Sequence, residues 1–212
     1  MSQGAKKTHQ GRSRKTRDKL LNALEKLLVD NDFADISINQ IAAEAGVSPA
    51  SVYRRFDKKQ GFIPVLFDLY VERLSEWAAS PDAQMDIEGC SLREALQKLA
   101  QTAWRQLEQQ THILRAIYLH GRDHLALLGE RGNQFETAML NAMTMIITLY
   151  SDDIEKTDHD RAARMLAYYF NNIFLERGLF SEQSADWAKE ISDNDFANEA
   201  ADFAYGYLRV KA

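Results

Sequence analysis

Cysteine is almost missing from the 212 residues: Cys90 stands alone. One thiol excludes an internal disulfide and any metal cage built on several cysteines, and it makes a reducing compartment the natural setting. Long apolar runs are missing too. Nothing approaches the roughly 18 consecutive apolar residues that span a bilayer, and the polar, basic N-terminus has no apolar segment behind it, so it does not read as a secretory leader. The expectation is a cytoplasmic chain with no membrane partner.

Catalytic signatures are also lacking. There is no phosphate-cradling glycine loop, no nucleophile elbow and no zinc-protease helix motif, so the chain is not expected to be an enzyme. His120 and His124 stand four apart with Asp123 beside them, a spacing that suits two metal ligands on one helical face. No third ligand is signalled nearby, and Gly121 weakens a helix at that point. No metal and no cofactor are therefore expected.

Proline occurs only as Pro49, Pro64 and Pro81. The proline-free stretch beyond Pro81 carries apolar residues at helical spacing and no alternating strand pattern. The fold class is all-α. The pattern predicts about nine helices, over 13–30, 38–45, 49–55, 58–79, 91–109, 112–127, 134–150, 158–177 and 195–210. Ser37 with Gln40, Asp57 with Gln60, Ser91 with Glu94 and Asn133 with Glu136 have capping-box spacing or a close variant of it, and Thr157 with Asp160 is looser. Residues 1–12 read as a basic disordered arm.

Charge is unevenly placed. The whole chain has a formal net charge of -5, but residues 1–60 hold 12 Lys/Arg against 7 Asp/Glu, a balance of +5. A basic head on an acidic body suits contact with a polyanion. Leu20, Leu21, Leu24, Leu27 and Leu28 form one stripe on the first helix. The next two helices are too short to fold alone. Residues 13–60 thus read as one three-helix unit around Leu24, Leu28, Phe33, Ile38, Ile41, Val47, Val52 and Phe56.

Within that unit, Ser37 caps a short helix, Gly46 sits where a helix ends in a left-handed residue, and Ser48 with Pro49 opens a new helix. Helix, glycine turn, helix is the spacing of a helix-turn-helix. The second helix starts with the slim Pro49, Ala50 and Ser51, which suits approach to base edges in a major groove. Tyr53, Arg54, Arg55, Lys58 and Lys59 follow and can reach phosphates.

The run "IAAEAGVSPASVYRRFDKK" resembles the signature of the TetR family of transcriptional regulators, through Ile41, Ala42, Ala45, Gly46, Val47, Ser48, Val52, Tyr53, Phe56 and Lys59. The likeness covers about residues 13–62. It implies that 13–60 is a DNA-binding domain and 61–212 a helical body for effector binding and dimerisation. It further implies phosphate contacts by Tyr53 and Lys59, a cap at Ser48, and base contacts by Pro49, Ala50, Ser51 and Arg54 or Arg55. Arg14, among the basic residues of the first helix, and Lys58 complete the expected DNA-binding set. Arg55 replaces the family's frequent histidine, which strengthens phosphate binding or reads guanine.

In the body, the run "ARMLAYYFNNIFL" is apolar around much of its helix, and Ala197, Ala201, Ala204 and Leu208 form a stripe that permits close helix contact. These residues, with Phe170 and Phe174, are the expected homodimer interface. Phe67, Tyr70, Trp77, Trp104, Tyr118, Met139, Met143, Tyr168 and Tyr169 line either a pocket for an amphipathic effector or plain core. The resulting expectation is a repressor that binds a double-stranded operator and is released by an unknown small molecule. The alternative is a DNA-associated regulator whose body binds a protein partner. Pro64 either kinks a helix that starts near Lys59 or falls harmlessly in the first turn of one that starts near Gly61.

Overall fold

The computed structural model describes residues 3–121, 129–181 and 184–211, with side chains described over 15–121, 137–181 and 184–211. Among these residues there are ten α-helices and no strand. They are α1 (Gln3–Asp30), α2 (Ile38–Glu44), α3 (Pro49–Tyr53), α4 (Phe62–Ala78), α5 (Leu92–Glu108), α6 (Thr111–Gly121), α7 (Gly129–Leu149), α8 (His159–Phe180), α9 (Asp186–Lys189) and α10 (Asp193–Leu208). They fall into two compact units, one within 1–70 and 112–128, the other within 71–111 and 129–212.

The first unit is built by α1, α2, α3, the start of α4 and most of α6. Leu20, Leu24, Ile41 and Val52 are fully enclosed, and Leu28, Phe33 and Phe56 nearly so. Ile38 and Val47 are only half-buried, and Ile36 takes the enclosed position instead. Phe56 stacks on Phe62 with ring centroids 3.8 Å apart. The unit extends beyond residue 60, because α6 is tied to α1 and the turn after it: His112 lies 3.5 Å from Glu25 and Arg115 pairs with Asp32.

Helix α1 begins at Gln3 rather than near residue 13. Residues 3–12 contain no proline, and Ala5, Lys6, Lys7 and Arg12 are strong helix formers. They extend a helix already nucleated by the buried leucines, which costs far less than starting one. Helix α4 begins at Phe62, after a 3-10 turn over Lys59–Gly61. Pro64 is then the third residue of the helix, where no intrahelical partner awaits its missing N–H, so no kink is required. The capping boxes at Ser37–Gln40 and Ser91–Glu94 form as expected. The cap near 157 is Asp158, which accepts from the Arg161 N–H, and Asp57 caps nothing because Lys58 precedes the 3-10 turn. The side chains of Asn133 and Glu136 lie outside the described residues.

In the second unit α5 packs on α8 and α10, and α7 packs on α8. Leu92, Ala95, Leu96 and Ala100 of α5 are buried, as are Ala197, Ala200, Ala201 and Ala204 of α10. The alanines let the two helices approach closely. Polar ties edge the seam: Arg93 and Gln97 donate to Asp202, and Gln101 donates to Asn198. Arg177 of α8 holds the turn before α10 by donating to the carbonyls of Ala188 and Ile191 and to Asp193. Helix α9, four residues long, has too little periodicity to be visible in the sequence.

Candidate nucleic-acid interface

The turn between α2 and α3 is fixed by backbone chemistry. Ala45 ends α2, Gly46 follows at φ +64°, its N–H donates to the Ala43 carbonyl, and the Val47 N–H reaches back to the Ala42 carbonyl at 2.9 Å. This pair of bonds is the Schellman motif, and a left-handed residue is what it needs at Gly46. Ser48 is the residue before α3 and Pro49 the first within it. Val52, the single buried residue of α3, anchors the helix.

The opposite face of α3 is open. Ser48, Pro49, Ala50, Tyr53 and Arg54 are exposed and Ser51 is half-exposed. Ser48 makes no side-chain cap to the backbone. Its Oγ lies 3.0 Å from the Ser51 Oγ, which accepts a hydrogen bond from Arg54 Nη2 at 2.9 Å. Arg55 folds back along the helix and donates from Nη1 to the Ser51 carbonyl. Lys58 is exposed on the loop beyond. The side chain of Arg14 lies outside the described residues.

Lys59 departs from the phosphate role that the family resemblance implies. Its Nζ donates to the carbonyls of Phe33, Ala34 and Ile36 at 2.7, 2.7 and 2.9 Å, and sits 4.9 Å from the Phe33 ring centroid. An ammonium has three protons, and all three are taken inside the unit. Burial holds its pKa below the ordinary lysine value, opposed in part by Asp35. Lys59 therefore ties the α1–α2 turn to the segment after α3, and so steadies the recognition helix. These partners are more than twenty residues away in sequence, and no local pattern signals them.

The Phe33 ring also meets His120 of α6, at 5.0 Å between centroids. Burial depresses the His120 pKa, Lys59 adds to the effect and Asp32 opposes it. His124 and Asp123 lie outside the described residues. Among the described residues no group of three or more His, Cys, Asp or Glu is placed to hold a metal.

The expected interface and pocket residues are placed differently. Phe170, Phe174, Ala197, Ala201, Ala204 and Leu208 are all at most 4% exposed within the single chain. They are core of the second unit, because α5 occupies the alanine face of α10, so they cannot form a surface for a second subunit. The large exposed apolar side chains are Met165 and Tyr168 on α8 and Phe203 on α10, among others. Of the expected pocket residues, Phe67, Tyr70 and Tyr118 belong to the first unit and Trp77, Trp104, Met139, Met143, Tyr168 and Tyr169 to the second. Phe67, Tyr70, Trp104 and Met143 are buried, and Tyr168 is 67% exposed. Trp104 packs edge-on against Phe174 and Phe196, and burial raises the Tyr169 pKa.

A short helix on a Schellman turn, anchored by one buried valine and opening a slim, hydrogen-bonding face, defines a helix-turn-helix DNA-binding head. A family model described as "Bacterial regulatory proteins, tetR family" matches residues 20–64, which span that head. Over those residues the chain carries the DNA-binding head of this family of transcriptional regulators. No curated protein matches the sequence. Among solved structures, the chain is similar to NalD of Pseudomonas aeruginosa, described as the secondary repressor of the MexAB-OprM multidrug efflux pump, at 20% identity and TM-score 0.59, covering 92% of this chain and 98% of that one. It is similar to the fatty acid degradation regulator FadR of Bacillus halodurans at 17% identity and TM-score 0.62, covering 92% and 97%. It is also similar to a TetR-like transcriptional regulator from Rhodococcus sp. RHA1 at 16% identity and TM-score 0.62, covering 91% and 95%. These likenesses extend the shared fold over nearly the whole chain.

Proposed function

We propose that the chain is a homodimeric repressor whose two heads bind a double-stranded operator and whose body takes up a small amphipathic molecule that releases it. The observation that carries the DNA part is the open face of α3, on which Ser48, Ala50 and Arg54 are exposed and Ser51 half-exposed beside the exposed Tyr53. Pro49, Ala50 and Ser51 suit approach to base edges, Tyr53 and Lys58 suit phosphates, and Arg55 and the basic N-terminal turns of α1, Arg14 included, add positive charge near the backbone. A head that reads one groove segment needs a second copy for site length and affinity. Met165, Tyr168 and Phe203 supply apolar surface for that contact. Repression and release by an apolar compound draw support from what NalD and FadR are said to regulate, an efflux pump and fatty acid degradation. Action on chromosomal DNA places the protein in the cytoplasm.

A reporter gene behind a duplex selected by the protein tests the reading. Expression should fall when the protein is present and recover on addition of fatty acyl compounds or hydrophobic drugs, with a matching loss of anisotropy in the purified complex. Expression that rises with the protein overturns repression. A complex that survives every such compound overturns release by an amphipathic effector.

A further inference from the structure

We infer that Arg54 is the base-reading residue of each head, that it reads a guanine, and that Ser51 sets its aim. The inference rests on the DNA-binding reading above and adds the identity of the reader and of the base.

Four cations cluster at the end of α3, and the structure sorts them. Lys59 has its three protons on the carbonyls of Phe33, Ala34 and Ile36. Arg55 is half-buried and donates back to the Ser51 carbonyl. Lys58 is exposed but sits on the loop beyond α3, before the 3-10 turn, and a lysine is a point charge suited to phosphate rather than a planar fork. Arg54 alone combines exposure with a place on the open face of the helix. Ser48, Ser51 and Arg54 recur at every third position, so they share one side of the helix.

On that side the guanidinium is held. Arg54 Nη2 donates to the Ser51 Oγ at 2.9 Å, and Ser51 Oγ is 3.0 Å from Ser48 Oγ. One of five N–H groups is used in this way, and the rest of the fork remains for a ligand. Fixing the fork before binding reduces the side-chain freedom lost when it meets a base. In the major groove a planar pair of N–H donors matches the O6 and N7 acceptors of guanine, and no other base presents two acceptors there. The slim Ala50 and Ser51 allow the close approach this requires.

Selection of binding sites from a random DNA duplex library, run in parallel with the wild-type chain, Arg54→Ala, Arg54→Gln, Ser51→Ala and Arg55→Ala, tests the assignment. The wild-type motif should hold an invariant guanine in each half-site. Arg54→Ala should lose about 5- to 150-fold discrimination at that position while the remaining positions persist. Arg54→Gln should move the preference to adenine, whose N6 and N7 match a glutamine amide, a shift that loss of folding cannot produce. Ser51→Ala should keep the guanine with weaker discrimination, and Arg55→Ala should keep the same base preference while binding all sequences more weakly. An Arg54→Gln motif with the guanine intact overturns the assignment. So does an Arg54→Ala protein that weakens equally on all sequences, which would make Arg54 a phosphate ligand. A wild-type chain that enriches no motif overturns the DNA-binding reading itself, and the assignment with it.

Discussion

At the scale of single residues, Lys59 shows how a charge can be structural in a DNA-binding head. Three carbonyls accept from its ammonium and the Phe33 ring lies beside it. Lys59→Met keeps the stem and removes the charge, so it should cost about 1–3 kcal/mol of stability through the lost hydrogen bonds. The slope of log affinity against log salt should stay the same, whereas a phosphate ligand would contribute roughly 0.9 to it. Thermal melts and anisotropy titrations over a salt series measure both. His120 gives a second prediction. Its folded pKa is depressed by burial and by Lys59, so the fold favours the neutral ring. The stability it contributes is present above the ordinary histidine range, about pH 6.5, and is lost as pH falls through the lower folded value. Wild-type melting temperature should drop between pH 7.5 and pH 5 by more than that of His120→Gln; equal drops would refute the burial of a neutral ring.

At the scale of helices, α6 joins the head from His112 onward. Gly121 at its end would place an added Cβ 3.3 Å from Ile63 Cγ2 of α4 and 3.7 Å from Ile117 Cγ2. The glycine thus acts as a spacer that lets α6 lie against α4, more than as a weak point in a helix. Gly121→Ala should be nearly neutral, because the helix propensity gained, about 1 kcal/mol, offsets a few tenths of an ångström of adjustment. Gly121→Val adds two methyl groups at that contact and should destabilise by about 1–3 kcal/mol. Chemical denaturation of both variants checks the pair, and a neutral valine would show that the α4–α6 seam is loose. Pro64 belongs to the same scale. Its place in the first turn of α4 selects the second of the two sequence readings, a proline lying harmlessly at the start of the helix.

At the scale of the whole molecule, the dimer prediction turns on which faces α8 and α10 leave open. Alanines 197, 201 and 204 are committed to the subunit's own core. Ala201→Arg should therefore unfold the subunit rather than merely separate two subunits, since it buries an unpaired charge. Tyr168→Asp with Phe203→Asp replaces side chains that are 67% and 70% exposed. The double variant should keep its melting profile at high dilution yet sediment as a monomer. An unchanged dimer would move the interface elsewhere.

The sequence by itself determined the head. Its signals are local: a serine three residues before a glutamine, a glycine after the last helical turn, a proline at the first position of α3, and leucines at helical spacing. Each acts within a few residues, so each can be read along the chain. The sequence also determined that the body is helical, because a long proline-free stretch with apolar periodicity leaves few other choices. Only the tertiary structure decided which way Lys59 points, which arginine keeps the open face, and which side of α10 is already occupied by α5. Those outcomes depend on carbonyls and helices brought together from distant parts of the chain. A side chain's donors are spent wherever the fold first supplies acceptors, and an apolar stripe looks the same in sequence whether its partner is in the same subunit or another.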